Sequence, residues 1–129
     1  MNMITVKSKA EKYQMDITNG TATVKGDIPV ANGGGGQYMS PTQMLASSLG
    51  MCLNVTVRFI LEKRNIAYKE ITTRVDVEDV VGESTIFKYS VDIDAVISEE
   101  DKAKYIKMAF AGCHVHKLLE QKLVFKPME

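Results

Sequence analysis

Apolar and polar positions alternate in two different periods along this chain, and the change of period marks its elements. In the N-terminal third the period is two. Met3–Ser8 contains ITVKS, Glu11–Ile17 contains KYQMDI, and Thr21–Lys25 follows the Asn19-Gly20 hairpin signal. These stretches predict three antiparallel strands. From Ser40 to Asn65 the pattern becomes a nearly continuous apolar run, SPTQMLASSLGMCLNVTVRFILEKRN, which predicts one long helix. Ser40 is a good N-cap, Pro41 suits the first helical position, and Gln43 completes an S-x-x-Q capping box. Glu62, Lys63 and Arg64 close the helix, and Asn65 tolerates a left-handed cap. Ser47, Ser48, Asn54, Thr56 and Arg58 interrupt the apolar run, which therefore reads as a buried helix and not a membrane span. At about 100° per residue, Leu45, Ser48, Leu49, Val55, Thr56 and Phe59 share the face of Cys52.

Beyond the helix the period returns to two. Tyr68–Val81 and Thr85–Ile97 predict a long hairpin turning at Gly82-Glu83-Ser84, with Ile71, Val75 and Val77 in the alternation of a half-buried first strand and Phe87, Tyr89, Val91, Ile93 and Ala95 on one face of the second. Ser98 caps a second helix, Glu99–Phe110, whose first turn holds Glu99, Glu100 and Asp101. Ala111-Gly112 ends it, Cys113 opens a short third helix (CHVHKLLEQKL), and Val124–Lys126 is predicted as a closing strand. The order β-β-β-α-β-β-α-α-β, without repeats or linkers, gives an α+β fold in one domain spanning residues 1–129. A chain this short cannot cover so apolar a helix by itself, so a homodimer is expected.

Sixteen Lys plus Arg balance sixteen Asp plus Glu, so nothing in the charge asks for nucleic acid or an acidic membrane. The four glycines of ANGGGGQY (Ala31–Tyr38) lack the following Lys-Ser/Thr of a phosphate loop, and the segment reads as a flexible connector. A flap that carries Tyr38 over a site on the helix is the sharper alternative. Met1–Thr5 shows no leader pattern, and the expected location is the reducing cytoplasm, where a permanent disulfide is disfavoured.

The chemistry therefore centres on two cysteines. Cys52, in mid-helix, is desolvated, which raises a thiol pKa, and it needs a cation or dipole from elsewhere to become reactive. Cys113, at a helix start beside His114 and near His116, has a setting that favours thiolate. One sequestered and one activated thiol suit either an inert core pair or a peroxidatic and resolving couple. Cys113, His114 and His116 with Cys52 include ligand types for zinc, but neighbours on a helix point about 100° apart, and no metal is expected. His116 reads as a surface helix residue.

Pro41–Cys52 (PTQMLASSLGMC) and Ala111–Leu119 (AGCHVHKLL) together resemble the two motifs of the OsmC/Ohr family, the osmotically inducible and organic hydroperoxide resistance proteins. In that pattern a proline-opened helix reaches a cysteine eleven residues on, and a second cysteine follows about sixty residues later; here the two lie 61 apart. The resemblance extends over nearly the whole chain and points to the OsmC-like branch. It implies antiparallel sheets around a long central helix, an intertwined homodimer with sites at its interface, and no cofactor. It also implies thiol-dependent reduction of organic hydroperoxides in oxidative stress defence. Cys52 would be peroxidatic and Cys113 resolving, a lipoylated protein or small thiol would be the dithiol reductant, and Gln43 and Tyr38 are the candidate substrate-binding residues. Strongly active members carry a glutamate just after the proline and an arginine in the N-terminal strands. This chain has Thr42 and Gln43 at the first place and no arginine before Arg58, which leaves Lys12 and Lys25 as N-terminal cations. The alternative function is a non-catalytic dimer binding a small apolar or thiol ligand at its interface.

Overall fold

The computed structural model describes residues 3–128; Met1, Asn2 and Glu129 lie outside the described residues, and with them the beginning of the Met1–Thr5 stretch read for a leader. The fold is α+β, with two antiparallel sheets and one long helix. Strands β1 (Thr5–Ser8), β2 (Met15–Thr18) and β3 (Thr23–Gly26) precede helix α1 (Pro41–Lys63). Strands β4 (Glu70–Val80) and β5 (Ser84–Asp94) and helices α2 (Glu99–Gly112) and α3 (His114–Glu120) follow it. Two compact units make up the chain, one ending at Leu45 and the other beginning at Ala46.

In the first unit β1, β2 and β3 form a meander in that order. The expected strand from Glu11 begins only at Met15. The Lys9 N–H donates to the Gln14 carbonyl (3.0 Å), the Gln14 N–H donates to that of Glu11 (3.1 Å), and Tyr13 turns to φ 64°. The Asn19-Gly20 hairpin forms with Thr18 opposite Thr23, so its loop is four residues long. The Asn19 carboxamide oxygen accepts from the Thr21 and Ala22 N–H groups (2.9 and 2.8 Å), and Gly20 takes φ 97°.

The glycine-rich segment is organised around Asp27, which the sequence reading passed over. Its carboxylate is fully buried and accepts the N–H groups of Ile28 (2.7 Å), Gly35 (3.3 Å) and Gln37 (3.1 Å). These bonds fold the loop back on the end of β3, where the Asp27 N–H also donates to the Met39 carbonyl (3.1 Å). The expectation of a structureless connector is thus replaced by an anchored loop containing a 3-10 turn at Val30–Asn32. Gly34 lies so close to Ile28 that a Cβ there would stand 2.2 Å from its carbonyl oxygen.

The second unit is built on the hairpin of β4 and β5, paired from Glu70↔Asp94 to Val80↔Ser84. Cross-strand pairs Ile71–Ile93, Thr73–Val91, Val75–Tyr89 and Val77–Phe87 share one face, as the period-two pattern predicts. Leu49, Leu53, Val57 and Leu61 form the buried ridge of α1, one residue per turn. Val57 and Leu61 pack with Ile71, Ile93, Tyr105 and Ala109 in the main core. The Asn54 side chain donates to the Ile71 carbonyl (2.9 Å) and the Thr73 hydroxyl to that of Gly50 (2.8 Å), tying helix to strand. By length and composition alone α1 is apolar enough to cross a membrane; here its ridge is the spine of this core.

The helix ends follow their signals. Ser40 and Gln43 close the capping box, the Ser40 N–H donating to Gln43 Oε1 (2.9 Å) and the Gln43 N–H to Ser40 Oγ (3.4 Å). Asn65 takes the left-handed φ of 55°. Ser98 caps α2 by accepting the Asp101 N–H (3.0 Å). The closing strand expected at Val124–Lys126 does not form, and residues 122–128 have no regular structure. A strand exists only through a paired neighbour, and no strand in the described residues pairs there; Leu123, Val124 and Phe125 stay 59–90% exposed.

The Asp27 anchor makes two measurable demands. Gly34→Ala should cost ~1–3 kcal/mol by forcing the loop off Ile28, read as a lower urea midpoint. Amide donors, led by Ile28, hold the Asp27 carboxyl below its ordinary pKa of 3.8. Its stabilising contribution is therefore complete above that value and disappears as the pH falls through the lowered folded pKa. Asp27→Asn should reduce the thermal midpoint at neutral pH and flatten this acid-side loss.

Candidate active site

The second unit brings the two cysteines together. Cys52 lies on α1 beside the buried ridge, half-buried, while Cys113 is fully buried in the single extended residue (φ −69°, ψ 119°) that joins α2 to α3. Cys113, Leu49 and Leu53 form a second core cluster, against which Cys52, Val75, Phe87, Phe110 and Val115 pack. Both thiols are free, and the Cys113 S–H donates to the Cys52 sulfur.

Their electrostatics reverse the expectation drawn from their settings. Burial pushes the Cys52 thiol up, but the Val115 N–H, the Cys113 S–H, the His114 N–H and the Thr56 hydroxyl together outweigh it, leaving its pKa below the ordinary 9.0. Cys113 moves the other way. Burial raises it first, the His116 and Val115 N–H groups oppose this, and the neighbouring Cys52 sulfur raises it further. The amides that open α3 are thus divided between the two sulfurs, Val115 and His114 reaching Cys52 and His116 and Val115 reaching Cys113, while the Cys113 S–H bond to the Cys52 sulfur lowers the one and raises the other. Those reaching Cys52 are the donors the sequence reading found missing for it. Backbone N–H groups carry no sequence signal of their own, so only the fold reveals which sulfur they reach.

An aromatic stack borders the pair. Tyr89 and Phe110 lie parallel with centroids 4.5 Å apart, and the His116 ring stacks on Phe110 at 3.8 Å. His116 is not the surface residue expected, its side chain being 18% exposed. Its Nδ1 faces the Phe110 carbonyl oxygen (3.0 Å) and its Nε2 the Glu120 carboxylate (2.5 Å). The i,i+4 spacing of His116 and Glu120 was a usable sequence signal for that bond. Among the described residues no three His, Cys, Asp or Glu side chains gather as metal ligands.

The two candidate substrate-binding residues lie together in the first unit. Tyr38 and Gln43 line a shallow cavity of about 360 Å³ with Lys25, Gly36, Gln37 and Met39. Lys25 Nζ stands over the Tyr38 ring (5.5 Å), and Lys12 over that of Tyr13 (5.1 Å). Gln43 is engaged in the capping box.

Comparison with known proteins agrees with this architecture. The family described as OsmC-like protein matches residues 33–127, most of the chain. The chain belongs to the OsmC-like protein family. Its fold is that of a protein from Psychrobacter arcticus 273-4 named for osmotic stress induction and a detoxification response (TM-score 0.77, 19% identity, covering 92% of this chain and 88% of that one). It is equally that of an OsmC-like protein from Mycoplasma pneumoniae (TM-score 0.76, 16% identity, 93% and 87% covered). An organic hydroperoxide resistance protein of Legionella pneumophila shares it as well (TM-score 0.65, 14% identity, 93% and 90% covered). Among curated proteins none matches in sequence.

The inverted thiol order is directly observable. With iodoacetamide and peptide mapping across a pH series, Cys52 should become reactive at lower pH than Cys113, whose burial also shields it. Equal profiles, or Cys113 reacting first, would contradict the arrangement.

Proposed function

We propose that this protein is a thiol-dependent peroxidase that reduces organic hydroperoxides in oxidative stress defence. One observation carries the reading: two free thiols in hydrogen-bonding contact, with the pKa of Cys52 lowered and that of Cys113 raised. The Cys52 thiolate attacks the terminal oxygen of ROOH, the O–O bond breaks, and the alkoxide takes a proton to leave as ROH. Cys52 is then a sulfenic acid. The Cys113 sulfur, giving up its proton, attacks the Cys52 sulfur, expels water and forms the Cys52–Cys113 disulfide. A dithiol, either a lipoylated protein or a small thiol, reduces that disulfide and is itself oxidised. Membership of the OsmC-like family and the shared fold with an organic hydroperoxide resistance protein support a redox role. The amide donors from α3 act on the Cys52 thiol in the direction an arginine would, toward the thiolate.

The same reading takes the working form to be a homodimer in the cytoplasm, where a reducing medium returns the pair to thiols. Its support is the outer side of α1, where Met51, Val55 and Phe59 recur every fourth residue and are 72%, 38% and 63% exposed. Tyr38 and Gln43 are the proposed substrate contacts.

One equivalent of cumene hydroperoxide should remove both thiols and yield one intramolecular disulfide, faster than hydrogen peroxide does. Cys52→Ser should abolish peroxide consumption, while Cys113→Ser should stop at a sulfenic acid that dimedone traps. Persistence of both thiols under cumene hydroperoxide would refute the proposal. Light scattering should give twice the chain mass of 14.3 kDa, and Phe59→Glu should shift the protein toward monomer.

A further inference from the structure

Cys113 sits at a corner one residue long, and such a corner does not hold a helix in place by itself. The Phe110 carbonyl at the end of α2 accepts the Cys113 N–H (3.3 Å) and faces His116 Nδ1 across the corner (3.0 Å). The other ring nitrogen faces Glu120 (2.5 Å), one turn further along α3. Both partners are acceptors, so each ring nitrogen that carries a proton donates to one of them. The ring also lies flat on Phe110, which itself packs into the thiol cluster. Its Phe110 contacts join the end of α2 to α3, and its Glu120 bond fixes the ring against the body of α3. The two residues before it carry the N–H groups that reach the Cys52 sulfur.

We propose that His116 is a positioning residue for the thiol pair: its ring straps the Phe110 carbonyl to Glu120 across the Cys113 corner and so keeps the His114 and Val115 amides aimed at Cys52. It touches neither sulfur through its side chain and acts through those amides. A hydrogen-bond donor to a thiolate loses effect when it swings away, and without the strap α3 pivots about Cys113. His116→Asn keeps a donor where Nδ1 stands, so it preserves the strap to Phe110. His116→Leu fills the space without a donor. The inference rests on the peroxidase reading only in taking Cys52 as the reactive sulfur.

The test is the pH profile of Cys52 alkylation by iodoacetamide, read by peptide mapping in the wild type, His116→Leu, His116→Asn and Glu120→Ala. No peroxide is involved, so a protein without peroxidase activity returns the same profiles and the two failures are distinguishable. His116→Leu should move the Cys52 profile upward by about one pH unit, slowing alkylation at neutral pH ~10-fold, and His116→Asn, which keeps only the Phe110 end of the strap, should move it about half as far. An unshifted Leu profile, or Leu and Asn profiles shifted alike, overturns the proposal, because the ring would then be only packing. Should the Leu variant fail to fold, Glu120→Ala decides. That side chain is 68% exposed, so its loss spares the core. An upward shift supports the strap, and an unchanged profile refutes it.

Discussion

The docking of the α1 ridge on the β4–β5 hairpin is the constraint on which the second unit depends. Leu49, Leu53, Val57 and Leu61 bury one side chain per turn, and the Asn54–Ile71 and Thr73–Gly50 bonds fix the helix against sliding. Apolar packing alone tolerates a slip, because one leucine replaces another at little cost. Polar ties do not, since a slip would leave a half-buried carboxamide and hydroxyl without partners. A rotation by one residue would carry Cys52 about 100° away from α3. The helix register thus sets the thiol geometry, although neither tie touches a sulfur.

The thiol pair shows how burial and hydrogen bonding compete at one site. Both sulfurs are taken partly out of water, and burial is the largest influence on each. Cys52 is favoured as thiolate by its donors, whereas the Cys113 S–H hydrogen-bonds to the Cys52 sulfur and is held protonated beside it. Such asymmetry is what a two-step thiol reaction requires: one sulfur ready to attack, and a second that keeps its proton until the first has been oxidised. The Tyr89–Phe110–His116 stack meets the thiol cluster through Phe110 and joins the end of α2 to the start of α3.

Asp27 does for the first unit what the helix ties do for the second. An isolated buried carboxylate is costly, and here three main-chain N–H groups balance it while ordering a segment whose glycines have little structure of their own. Glycine at position 34 is a steric necessity, because the loop passes within contact distance of Ile28.

Local information determined much of this protein. The strand alternation, the capping box at Ser40, the left-handed Asn65, the Ser98 cap and the hairpin face from Ile71 to Phe87 were all legible, because each is an interaction within a few residues or a simple period. The two cysteines and their motifs were also legible, as was the family resemblance they carry. Tertiary structure decided what no local pattern encodes. It fixed which sulfur the α3 amides face, wrapped the glycine loop on Asp27, turned His116 inward to Phe110 and Glu120, and left Val124–Lys126 unpaired. The physical reason is common to all four. A main-chain N–H, a buried carboxylate, an imidazole or an open strand edge has the same chemistry wherever it stands, and its effect follows only from the partner the fold brings within hydrogen-bonding distance.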